Sequence, residues 1–155
     1  MDKDLWDASS DGKLENVKKE LARGADVNWT ATEYFDHKST SLIIAVIRGH
    51  DTVVQHLLQQ PEINVNTADA NGMTALHWAC LNKCSVEMLR MLLAARGQAC
   101  YNLRRNWSGV TPLMCAINHN KLDHVKELLG VEEVDLDTRD KKERGLEDTA
   151  RLERK

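Results

Sequence analysis

The chain has 155 residues, with 21 lysines and arginines against 24 aspartates and glutamates and a formal net charge of −3. This balance excludes the broad basic surface needed for non-specific nucleic-acid binding and gives no attraction to an anionic membrane. No apolar run approaches the roughly 18 residues that suggest a membrane span, and the start of the chain is charged, so we expect one soluble domain over residues 1–155, not secreted, in the cytoplasm or nucleus.

The first predicted unit pairs a short helix from Leu5 to Ser10 with a second helix from Leu14 to Arg23. Glycines at positions 12 and 24 are expected to end the two helices. One face of the second helix is apolar (Leu14, Val17, Leu21), and the other is charged (Glu15, Lys18, Lys19, Glu20). A largely charged unit is typical of the end of an elongated stack, which has a neighbour on one side only.

The link over residues 28–39 is unusual because it holds three of the seven aromatic residues, Trp29, Tyr34 and Phe35. Two interpretations stay open. The rings could pack beneath the long turn as a small satellite core, or they could form an exposed finger that grips a partner.

Two similar units follow. The sequence Thr40-Ser41-Leu42-Ile43-Ile44-Ala45 opens one of them, and Thr74-Ala75-Leu76-His77-Trp78-Ala79 opens the next. Each threonine is placed to cap the helix behind it, and Trp78 is expected in the core. Their second helices carry apolar stripes at helical spacing (Val53, Val54, Leu57, Leu58 and Met88, Leu89, Leu92, Leu93).

The fourth unit begins Thr111-Pro112-Leu113-Met114-Cys115-Ala116, with the proline at the first helical position. Its second helix is predicted to bury Val125, Leu128 and Leu129 and to point Lys121, Lys126 and Glu127 outward. After Asp140 the chain is mostly charged, which predicts a polar terminal helix over residues 144–155.

Aligning the units places one leucine of each in register, at spacings of 37, 34, 37 and 33 residues (Leu5, Leu42, Leu76, Leu113, Leu146). The shared Thr-x-Leu-x-x-Ala pattern resembles the ankyrin repeat. This resemblance implies an all-α solenoid of helix-turn-helix units joined by β-turn fingers. It implies about four repeats, at residues 4–39, 40–73, 74–110 and 111–143, and a degenerate C-terminal capping helix at 144–155. Only the third repeat keeps the family's turn-bracing histidine, His77.

The sequence offers little for catalysis. It has no phosphate-binding glycine loop, no Gly-x-Ser-x-Gly and no His-Glu-x-x-His. Cys80, Cys84, Cys100 and Cys115 lack zinc-knuckle spacing, and we favour reduced structural thiols over a metal site or redox function. We therefore expect no enzyme activity, no metal and no cofactor.

By resemblance to the family, recognition would use the turn tips and the inner face of the first helices. We accordingly predict a monomeric scaffold or adaptor that binds a protein or peptide partner. The nominated contact residues are Asp36, His37, Ser39, Ile47, Arg48, Ala70, Asn71, Met73, Leu81, Asn82, Arg104, Arg105, Trp107, Ser108, Val110, Asn118 and His119.

Two alternatives remain. Four tryptophans and a ring-rich link could make the chain a structural or self-association module of a larger protein. The turn with Arg104, Arg105 and Trp107 could stack a nucleic-acid base, although the net acidic charge argues against this.

Overall fold

A computed structural model describes residues 1–31, 38–82, 84–95, 108–132 and 134–147. Within these ranges the chain forms eight short helices in four consecutive pairs: α1 (Asp2–Ser10), α2 (Leu14–Ala22), α3 (Ser41–Arg48), α4 (Asp51–Leu58), α5 (Ala75–Leu81), α6 (Val86–Leu93), α7 (Pro112–Asn118) and α8 (Leu122–Leu129). The described residues contain no β-strand, only an isolated antiparallel bridge between Thr30 and Thr40. The all-α prediction is confirmed.

The pairs stack in two rows. Each first helix contacts the first helix of the next pair, and each second helix contacts the next second helix. Leu5, Leu42, Leu76 and Leu113 lie between neighbouring first helices and are 0–5% exposed. The core is therefore a continuous strip along the stack, as expected of a repeat protein. Leu146, the fifth aligned leucine, is partly buried against the same strip.

Threonine side chains start three of the four first helices. Thr40 and Thr111 accept hydrogen bonds from the backbone N–H groups of Ile43 and Met114 at 3.2 and 3.3 Å. Thr74 does the same for the N–H of His77. Each cap satisfies an N–H group that the helix itself cannot, so the predicted capping role is confirmed.

His77 ties the start of α5 to the end of the third repeat, just before α7. Its Nδ1 accepts a hydrogen bond from the backbone N–H of Thr74 at 3.3 Å, and its Nε2 lies 3.2 Å from the carbonyl oxygen of Val110. The first bond places the ring proton on Nε2, which then donates to Val110. The side chain is 0% exposed, so both bonds are made away from water.

Four side chains depart from the sequence prediction. Glu127, expected to point outward, pairs with Arg90 of α6 at 2.7 Å. Glu20 is 7% exposed rather than outward, and its carboxylate pairs with Arg23 at 3.1 Å. Lys121 folds back to donate to the carbonyl oxygen of Ala79 at 3.2 Å. Leu129, expected in the buried stripe, is 53% exposed because α8 has no described helix on its outer side.

The link after the first repeat contributes to a second, smaller apolar cluster. Trp6, Ala31 and Ile44 are buried there, and Trp29 packs against them. The indole N–H of Trp6 donates to the hydroxyl of Ser39 at 3.2 Å. For Trp29, the interpretation in which the ring packs beneath the turn therefore applies. Tyr34 and Phe35 fall in residues 32–37, which lie outside the described residues.

The last described segment is a turn held by Asp140. Its carboxylate accepts hydrogen bonds from the backbone N–H groups of Lys142 and Arg144, and from the Arg144 guanidinium at 2.7 Å. Helical geometry begins at Leu146, but residues 148–155 lie outside the described residues. The predicted terminal capping helix therefore stays a prediction.

We expect Asp140 to make folding stability depend on pH. Burial alone would raise the pKa of this carboxyl, but the hydrogen bonds from Arg144 and Lys142 outweigh it and hold the pKa below its ordinary value. A lowered folded-state pKa stabilises the protein above the unfolded value of about 3.9, and this contribution is lost as pH falls through the folded pKa.

The check is a series of melting curves for the wild type and Asp140→Asn from pH 7 to pH 2.5. The difference in melting temperature is expected to be largest above about pH 5 and to shrink in acid. A difference that is constant across this range would show that the Asp140 charge has no role in folding.

Candidate protein-binding surface

The finger before α5 is fixed by a buried aspartate. Oδ1 of Asp69 accepts hydrogen bonds from the backbone N–H groups of Asn71 and Met73 at 2.8 and 2.9 Å. Oδ2 accepts from the indole N–H of Trp78 at 3.0 Å. The carboxylate thus ties the turn to the first helix, leaving Ala70 exposed and Asn71 half-buried at the tip. Asp69 was not among the predicted site residues, although an aspartate two residues before Asn-Gly is an Asx-turn signal.

The second part of the surface lies at the C-terminal ends of three first helices. Equivalent positions there are Ile47 and Arg48, Leu81 and Asn82, and Asn118 and His119. Arg48 and His119 are exposed, and the other four are half-buried. Because the first helices stack side by side, these pairs form one row, which we call the inner row.

Bonds within and between repeats fix parts of the inner row. The side-chain amide of Asn82 donates to the backbone carbonyl of Ile47 at 3.4 Å, which links the second and third repeats. Nδ1 of His119 lies 2.9 Å from the carbonyl oxygen of Cys115, one turn back. These side chains are held before any partner arrives, so binding would order few of them.

Three nominated residues are not available on the surface. Ser39, Met73 and Val110 are 1%, 4% and 3% exposed. Each lies in the packed base of a finger: Ser39 bonds to the Trp6 indole and the Val110 carbonyl meets His77. Ser108 is half-buried, and its carbonyl accepts a hydrogen bond from the backbone N–H of Lys141 at 2.9 Å. The proposed surface below leaves out the three buried residues.

Five nominated residues lie outside the described residues. Asp36 and His37 fall in 32–37, and Arg104, Arg105 and Trp107 fall in 96–107. Their part in binding stays a prediction from sequence. The same holds for the base-stacking alternative, which depends on the second group.

The buried titratable groups are not arranged as activated nucleophiles. Burial raises the pKa of the Cys80 and Cys84 thiols, so both stay protonated at neutral pH, whereas a nucleophilic thiol has a lowered pKa. Burial lowers the pKa of Lys121, and burial with the nearby Lys121 cation lowers that of His124. Cys80, Cys84 and Cys115 form no disulfide within the described residues.

Within the described part of the chain, no group of three or more histidine, cysteine, aspartate or glutamate side chains is placed to hold a metal ion. In the same ranges no helix has the length and apolar character needed to cross a membrane.

Comparison with known proteins gives the family. A family profile described as ankyrin repeats (3 copies) matches residues 5–104 and 42–140, which together span most of the chain. The chain therefore belongs to the ankyrin repeat family. Repeats of this family are in general protein–protein interaction modules.

Individual relatives match a part of the chain. The human Arf-GAP with coiled-coil, ANK repeat and PH domain-containing protein 2 is 41% identical over 75 residues, 48% of this chain and 9% of that protein. Its chicken counterpart is 36% identical over 101 residues, which are 65% of this chain and 11% of that protein. Palmitoyltransferase akr1 of Schizosaccharomyces pombe is 44% identical over 53 residues, which are 34% of this chain and 8% of that protein. The chain thus spans about a tenth of the length of these relatives.

Proposed function

We propose that the protein is a non-catalytic scaffold or adaptor that binds a protein or peptide partner through the inner row and the finger tip at Ala70 and Asn71. The observation that carries the proposal is the fixation of this surface by backbone and buried groups. Asn82 bridges two repeats, and Asp69 anchors the finger to Trp78. A surface that is rigid before binding loses little conformational entropy on association.

The side chains of the inner row indicate the chemistry of the partner. Ile47 and Leu81 supply apolar contact, Asn82 and Asn118 supply amides, and Arg48 supplies a positive charge. This mixture fits a peptide or folded protein with apolar side chains and a carboxylate near Arg48. A polyanion would need several cations, and a small ligand would need a deeper pocket.

The absence of catalysis and an intracellular location are also part of the proposal. The protonated state of Cys80 and Cys84 argues against thiol catalysis. Free thiols are usual in the reducing cytosol and rare in secreted proteins.

We also propose that the chain is a monomer. The self-association alternative was based on its tryptophans, and three of the four are engaged within the chain. Trp6 is buried, Trp29 packs against it, and the Trp78 indole bonds to Asp69. Light scattering at high concentration should give the monomer mass of 17.6 kDa, and a dimer mass would contradict this.

The binding proposal predicts a loss of partner capture without a loss of stability. In a triple variant, Arg48→Glu, Ala70→Arg and Asn118→Arg change side chains that are exposed or half-buried. Charge reversal and added bulk should block contact, so recovery of partners from native extract should fall at least about tenfold. Quantitative pull-down measures the recovery, and the melting temperature should move by only a few degrees.

The matched control changes the exposed side of the second helices with Lys18→Glu, Ala22→Arg and Gln55→Arg. It carries the same kinds of substitution on the opposite row and should recover the wild-type set of partners. Undiminished capture by the inner-row variant would show that binding occurs elsewhere.

A further inference from the structure

The outer side of α8 is apolar and exposed. Leu122 is 66% exposed and Leu129 is 53% exposed. They are seven residues apart, which is two helical turns, so both lie on one face. Lys126 stands between them on that face. We call Leu122, Lys126 and Leu129 the α8 outer face.

The same pattern occurs in two earlier second helices. Helix α2 carries Leu14, Lys18 and Leu21, and α6 carries Val86, Arg90 and Leu93, each at positions i, i+4 and i+7. These apolar side chains are half-buried, and the leucines among them pack against the core strip. In both cases the following second helix, α4 or α8, packs alongside. The pattern is therefore one that this fold uses to receive a helix.

The contact between α6 and α8 also shows which charge on the second helix faces the basic residue of the first. Nη2 of Arg90 donates to Oε1 of Glu127 at 2.7 Å, so the basic residue of the pattern meets a carboxylate on the next helix. Lys126 occupies the place of Arg90 in α8. Its side chain is 77% exposed and its ion pair is with Asp123 of its own helix, at 3.5 Å.

We propose that the α8 outer face is a docking site for an amphipathic α-helix of a partner, with apolar side chains against Leu122 and Leu129 and a carboxylate against Lys126. The charge complementarity follows the Arg90–Glu127 pair. This site lies on the row opposite the inner row and is independent of the function proposed above.

The test uses a peptide taken from the chain itself. Residues 119–132 contain α8, whose inner side, with His124, Glu127 and Leu128, is the side that faces the earlier repeats. A peptide this short is only marginally helical on its own. We therefore stabilise its helix with a side-chain lactam between Lys126 and a glutamate introduced by Leu122→Glu in the peptide. Fluorescence anisotropy of the labelled peptide is measured against the full chain.

We expect saturable binding that weakens about tenfold or more with Leu129→Asp or Leu122→Asp in the chain, since each removes a leucine that the complex would bury and adds a charge. Lys126→Glu in the chain should weaken binding, and Glu127→Lys in the peptide should restore it. Ala22→Asp, an exposed apolar site on α2, is the matched control and should bind as the wild type does. Circular dichroism confirms that each variant is folded.

Four results would overturn the proposal. One is the absence of saturable peptide binding, and another is binding that Leu129→Asp leaves unchanged. Binding that appears only after deletion of residues 148–155 would show that the chain covers this face with its own segment. A dimer in light scattering that is lost in Leu129→Asp would show that a second copy is the occupant.

Discussion

Leu76→Ala is expected to lower the free energy of unfolding by about 2–5 kcal/mol. Leu76 is 5% exposed and lies on α5, between the first helices of its two neighbouring repeats. Removing its side chain loses apolar burial and opens a cavity where two interfaces meet. In a stack, each repeat is stabilised mainly by its neighbours, so a cavity in the third repeat weakens its contacts on both sides.

Chemical denaturation measures this effect, and Leu122→Ala is its matched control. The chemical change is the same, but Leu122 is 66% exposed and should cost within about 0.5 kcal/mol. A chain of this size should lose roughly 2–4 °C in melting temperature per kcal/mol. Equal losses in the two variants would mean that Leu76 does not contribute to the stack as its burial implies.

The fold was predictable because the same local sequence signals recur in several repeats. Thr40, Thr74 and Thr111 each stand where a helix needs a cap, and the leucine two residues later is buried in each case. Whether a side chain on a helix is buried was harder to predict than whether the helix forms. Leu129 follows the helical spacing of a buried residue but is exposed, because its burial depends on a neighbour and not on the helix itself.

The candidate site was predictable only in outline. Family resemblance indicated the inner row, but spacing alone could not separate side chains that face outward from those that brace a finger. Val110 sits at a finger position, yet its side chain is buried in the core strip and its carbonyl oxygen is the acceptor for His77. Asp69 was missed because its role depends on the indole of Trp78, nine residues away, coming within hydrogen-bond reach.

His77→Leu is expected to destabilise the protein by roughly 2–6 kcal/mol although the side chain keeps a similar volume. The change leaves the N–H of Thr74 without its Nδ1 acceptor and the carbonyl of Val110 without its Nε2 donor. Thr74 and Val110 are both buried, so neither group can turn to water instead. An unsatisfied buried polar group costs about 1–3 kcal/mol, and here there are two.

The second and fourth repeats show how the position of His77 is filled by an apolar side chain. Ile43 and Met114 occupy the position of His77 and are 0% exposed, so an apolar side chain is accepted there when the turn does not depend on a ring nitrogen. Met114→Leu should therefore cost less than about 1.5 kcal/mol. Amide hydrogen exchange at Thr74 is the local readout, because His77→Leu removes the acceptor of that N–H and should accelerate its exchange, whereas Met114→Leu should not. If both variants melted alike and Thr74 stayed protected in each, the histidine brace would contribute nothing that an apolar side chain does not.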